Sequence, residues 1–164
     1  MPAPSNPLRQ QTLEAIQTKL RAINGNPTYF STVKSTSVVL DPGVNMFTVP
    51  STELPFFIVE PTPEGSKFYM PAMRMQHRFQ VVITARNDAP GGTSTSRKME
   101  TWERLIADIE VAMTRDVTLG GIAADVRLTE ATPGFDLNAQ ASTIIVVQPL
   151  NVLLVREYGK PWNS

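Results

Sequence analysis

Residues 73–86 alternate without interruption. Met73, Met75, His77, Phe79, Val81, Ile83 and Ala85 hold one parity, and Arg74, Gln76, Arg78, Gln80, Val82, Thr84 and Arg86 hold the other. A period of two sends these sets to opposite faces, so the stretch predicts one long amphipathic strand. At ~3.3 Å per residue it exceeds about 40 Å, longer than most strands of a compact domain, so one end is expected to project and offer itself to a partner.

Two stretches carry the helical period instead. Leu13, Ile16, Leu20 and Ile23 recur at three- and four-residue steps, with Gln10, Glu14, Gln17 and Arg21 pointing away. They predict a helix over 8–23 that Asn24-Gly25-Asn26-Pro27 stops. Trp102, Leu105, Ile106, Ile109 and Met113 form the stripe of a second helix, capped by Ser94, Thr95 or Ser96, with Glu100 and Arg104 spaced for an i,i+4 pair. Thr118-Leu119-Gly120-Gly121 is expected to end it.

The remaining segments read as strands and turns. Val33, Val38 and Val39, a turn at Asp41-Pro42-Gly43, and Phe56-Phe57-Ile58-Val59 predict at least two strands between Tyr29 and Glu60. Pro61 to Ser66 predicts a turn, its two prolines excluding a central strand. Asn87 to Ser96 reads as a loop, Ala124 to Leu128 as a short strand. The β-branched run Ser142 to Arg156 is expected to be divided by Pro149 into two short strands, or to bulge as an edge strand. Residues 1–7, with three prolines, and 158–164 read as extended arms flanking a single domain over 8–157. Trp162 in the second arm is too large and apolar to be left solvated without a contact. The order helix, strands, helix, strands predicts an α+β fold: a two-layer sandwich of a mixed, mostly antiparallel sheet with both helices packed on one face.

Composition narrows the function. In 164 residues, 15 Lys+Arg balance 15 Asp+Glu, which argues against a broad basic face gripping nucleic acid. Charged residues are only 18% of the chain, so part of its surface is expected to be covered by neighbours. With no cysteine, disulfides, thiolate catalysis and cysteine-held metals are excluded. No apolar run approaches the ~20 residues of a membrane span, and the first residues lack the pattern of a signal peptide, so synthesis in the cytosol is expected.

Candidate chemistry is sparse. The single histidine, His77, shares its face with Met75 and Phe79, which predicts a core-edge or interface residue; as an acid or base it would need a carboxylate its neighbourhood does not offer. Asp108 and Glu110 lie two apart on a helix and read as solvated surface. Gly91-Gly92-Thr93-Ser94 lacks the lysine and glycine spacing of a phosphate loop. No catalytic residue, cofactor or metal ligand is therefore assigned. What remains is the row Arg74, Arg78 and Arg86 with Gln76 and Gln80, whose alternatives are a solvated face and a face bordering a ring lumen through which DNA passes.

Residues 101–113, TWERLIADIEVAM, followed by Asp116-Val117-Thr118-Leu119-Gly120-Gly121-Ile122-Ala123-Ala124-Asp125-Val126, resemble the second helix and following strand of tail-terminator and tail-completion proteins of long-tailed bacteriophages. The amphipathic helix from Leu8, the segment Pro55-Phe56-Phe57-Ile58-Val59 and the long strand before the second helix extend the resemblance over residues 8–156. It implies a non-enzymatic virion protein: a hexameric ring at the head-proximal end that caps the tail tube, ends its polymerisation and joins it to a head-completion or connector protein. DNA would cross its lumen without sequence-specific binding, and Trp162 joins the arginine and glutamine row as a candidate contact. A neck connector is the nearest alternative. A small cytosolic ligand-binding domain or enzyme using His77 is the other.

Overall fold

The computed structural model describes residues 7–70, 74–90, 94–133 and 142–157. Their elements, in chain order, are α1 (Leu8–Arg21), β1 (Val38–Val39), β2 (Phe56–Met70), β3 (Arg74–Asp88), α2 (Thr95–Thr114), β4 (Asp125–Leu128), β5 (Thr132–Pro133) and β6 (Thr143–Glu157). The fold is α+β. One mixed sheet runs in the order β1-β2-β3-β6-β4, with β5 continuing the outer edge along β6. Among the described strands only β1 and β2 pair in parallel.

Both helices lie on one face because the apolar parity of the strands and the apolar stripes of the helices face each other. Val59, Val81, Ile83, Val146 and Val152 from the strands meet Ile16, Leu20, Leu105 and Ile109 from the helices in one buried cluster. In α2 the buried stripe is Leu105, Ile109, Ala112 and Met113, whereas Trp102 and Ile106 are half-buried at its margin. Ser94 caps the helix, accepting a hydrogen bond from the Arg97 amide at 3.4 Å. Near the start of α1, Arg9 donates to the Thr62 carbonyl at 2.5 Å and lays its guanidinium 5.0 Å above the Phe79 ring, pinning β2 to the helix layer. Gln17 and Arg21, expected to point away, both donate to the Val38 carbonyl, at 2.7 and 3.2 Å, and hold β1 in place.

The prolines depart from expectation. β2 runs through Pro61 and Pro63 as a strand instead of turning at them. No described strand lies outside it there, and a register shift between Pro61 and Gly65 absorbs the irregularity. Gly65 fits the bulge for a spatial reason: a Cβ there would come within 3.1 Å of both the Arg78 carbonyl and His77 Nε2. Pro149 does not divide β6, which is one strand of 15 residues between β3 and the β4–β5 edge. In an antiparallel strand a residue's nitrogen and carbonyl point to the same side. The Pro149 carbonyl accepts from the Thr129 amide at 3.1 Å, so its amide-less nitrogen also faces the β4–β5 edge, which is broken at that point. The buried Gln148 side chain fills the break, donating to the Thr129 carbonyl at 2.6 Å.

Candidate functional site

The second face of the sheet has no helix layer among the described residues. Its occupants are the even residues of β3 and the odd residues of β6, and the register sets Arg78 beside Leu153, Gln80 beside Asn151, Val82 beside Pro149 and Thr84 beside Val147. Arg74 and Arg78 are exposed and Gln76 and Gln80 half-buried, so four of the sequence candidates do share one surface. Asp125 and Arg127 on β4 extend it: the Arg127 guanidinium reaches Asp125 at 2.5 Å while its side chain stays 79% exposed. Between this pair, β3 and the Thr62–Pro63 bulge lies an open groove of about 900 Å³ floored by Asn151 and Leu153.

Arg86 does not belong to that surface. It has the parity of Arg74 and Arg78 but is 7% exposed, because residues of the 39–54 segment fold over that end of the face. Met46, Phe56 and Ile58 form a second buried cluster there, with Val39, Val44, Val49 and Leu54 packed against it. Arg86 is the polar anchor of this cover, donating to the carbonyls of Met46 at 2.5 Å and Val49 at 3.2 Å, with Asp88 at 3.5 Å. It is therefore withdrawn as a lumen or interface residue. Trp162 lies outside the described residues, as do both arms apart from Pro7.

The residues that sequence reasoning missed sit on β4 and β6. Thr143 to Glu157 reads TIIVVQPLNVLLVRE, apolar at both parities, so no alternation distinguishes its faces. Such runs belong to strands buried on both sides. Here, away from the covered end near Arg86, the described residues cover only one side and leave Val147, Leu153 and Val155 half-buried.

The titratable groups elsewhere have structural partners. His77 is 8% exposed on the helix side, its ring tilted 38° against Phe79 at 5.2 Å. Asp108, read as solvated, is 1% exposed: it accepts the Phe30 amide at 2.7 Å, and its other oxygen, Oδ2, has no hydrogen-bond partner. Burial raises its pKa, opposed by hydrogen bonds from Phe30 and Ser31. Asp116 is the reverse case. The Thr118 hydroxyl and the Gly120 and Thr118 amides donate to it at 2.6 to 3.0 Å, and Lys19 stands 3.4 Å away. These donors hold its carboxyl well below the usual carboxylate range. The turn it organises, with Leu119, Gly120 and Gly121 all at positive φ, follows the helix, which already ends at Thr114.

Among the described residues no group of three His, Asp or Glu side chains could hold a metal ion, and no helix is long and apolar enough to cross a membrane. No protein-family model and no curated protein matches the chain.

Proposed function

We propose that the protein is a structural component of a phage virion, a tail terminator whose copies close into a hexameric ring on the finished tail tube, stop its growth and present a surface to the head connector. The reading rests on the resemblance over residues 8–156 and on one physical observation. β6 has the sequence of a strand buried on both faces, yet among the described residues one of its faces carries no helix layer and keeps Val147, Leu153 and Val155 half-buried. Its half-exposed aliphatics are a surface that association with further chains would complete. The arginines and glutamines around them supply the polar rim that such contacts carry. In this role no bond is made or broken, and DNA crosses the ring without being read.

The test uses the full chain with tail-tube protein from the same phage. The proposal expects a closed ring by light scattering and electron microscopy, and tubes that stop lengthening when the ring is added. A strict monomer that leaves tube growth unchanged refutes it.

A further inference from the structure

Resting on that ring reading, we infer that the open groove of one copy receives residues 158–164 of the next copy, with Trp162 seated over Leu153. The groove crosses the sheet where four strands stand abreast. The register aligns Gln80, Asn151 and Arg127 in one row and Arg78, Leu153 and Asp125 in the next, and the Thr62–Pro63 bulge walls the groove on the β2 side. With about 4.8 Å between strands, the groove runs about 14 Å across them, the span of four to five extended residues.

Its lining suits a peptide. The side-chain amides of Gln80 and Asn151 each donate and accept, which is what pairing with a backbone laid across them requires. Arg127 is engaged by Asp125 and does not call for an anion. Leu153 is a half-buried aliphatic floor that a purely polar ligand would leave in water. A tryptophan answers both features, its ring on the leucine and its N–H within reach of an amide oxygen, and such residues carry much of the energy of interfaces.

The segment after β6 reads Tyr158-Gly159-Lys160-Pro161-Trp162-Asn163-Ser164, with one charge and Trp162 as its large apolar side chain. Pro161 fixes its own φ and biases Lys160 toward the extended region, so the strip loses little freedom on docking. Its reach decides which copy it serves. Leu153 lies four residues, about 13 Å, back from the end of β6 at Glu157. Of the five steps from Glu157 to Trp162, a tight reversal uses about three, and the remaining two cover about 7 Å. On its own subunit Trp162 would draw level with Val155, short of the groove floor. Running on without a reversal, the seven residues span about 23 Å, enough to pass to an abutting subunit and cross its groove. Donor segment and receiving groove are different parts of the subunit, so the contact runs head to tail, the kind that closes into a ring.

The experiment is disulfide trapping in the full chain, which has no cysteine of its own. Asn151→Cys, at an exposed position, and Asn163→Cys are made singly, mixed one to one under mild oxidation and read by non-reducing mass spectrometry. A disulfide between the two variants is expected, and the double variant should give a ladder of linked subunits. If Asn151→Cys melts early, Arg127→Cys replaces it. In sedimentation velocity Trp162→Ala should raise the concentration for half-assembly roughly thirtyfold with unchanged melting, and Trp162→Phe should recover part of the loss. Oxidation of the double variant within single chains puts the segment on its own subunit and overturns the inference. Trapping that is as efficient with Glu103→Cys, exposed on α2, also overturns it. So does a wild-type ring that gives no cross-link, or one whose assembly Trp162→Ala leaves unchanged; both leave the ring reading standing. A wild-type monomer under all conditions removes the ring reading and the inference together.

Discussion

The two faces of the sheet are built by the same three long strands, yet among the described residues only one is closed by a helix layer. On the helix side Val81, Ile83, Val146 and Leu150 have no exposed surface at all. On the other side their immediate neighbours Val82, Val147 and Pro149 remain half-buried, and the described residues cover only the end near Arg86. Neighbouring positions on one backbone share strand propensity and pairing, so the difference lies in what packs above them. The closed face carries the stability of the subunit, and in the proposed function the open face carries its capacity to associate.

The largest expected effect separates these roles. Leu150→Ala on the closed face should cost about 2–5 kcal/mol in denaturant unfolding, whereas Leu153→Ala on the open face should cost the dilute subunit less than about 1 kcal/mol and weaken assembly instead. Equal losses in the two variants would erase the distinction between the faces.

Arg86→Met tests the boundary between covered and open parts of the second face. It removes charged donors from two carbonyls, so a loss of about 2 kcal/mol is expected. Hydrogen exchange should accelerate across residues 41–54 while the helices keep their protection.

The chain's alternation revealed the two faces of β3, including the correct parity of Arg74, Gln76, Arg78 and Gln80. It could not reveal that Arg86 is covered, since parity assigns a face and the cover comes from carbonyls 37 and 40 residues earlier. Pro149 departs from the expectation for a related reason. A proline's cost to a sheet depends on whether its nitrogen faces a partner strand, which is a property of the neighbours. β4 and β6 hid their part of the site because a strand apolar at both parities gives no sign of which side is left open. The burial of Asp108 has no local sign either, because the amide it binds belongs to a residue 78 positions away.

Two aspartates eight positions apart titrate in opposite senses. The pKa of Asp108 is raised by burial, so the folded state holds its proton more tightly than the unfolded state, and stability falls as pH rises through that raised pKa. Asp108→Asn keeps an acceptor for the Phe30 amide; it should melt above wild type at pH 7, with the gap closing below about pH 4. Asp116 is depressed, so its contribution is present above the unfolded pKa and lost as pH falls. Asp116→Ala should therefore melt below wild type at pH 7, and this gap too should close in acid. Melting curves between pH 3 and 8 distinguish the two, and gaps of the same sign would show that the closed side does not strain to house Asp108.

The smallest effect belongs to the open face. Arg74→Gln should shift subunit stability by no more than about 0.5 kcal/mol, since the side chain is exposed.

Hydroxyl-radical footprinting of Leu153, Pro149 and Val147 across a concentration series addresses the central claim most directly. These side chains should be reactive in the dilute subunit and become protected in step with the appearance of the oligomer. An oligomer that forms while all three stay as reactive as before would contradict the account.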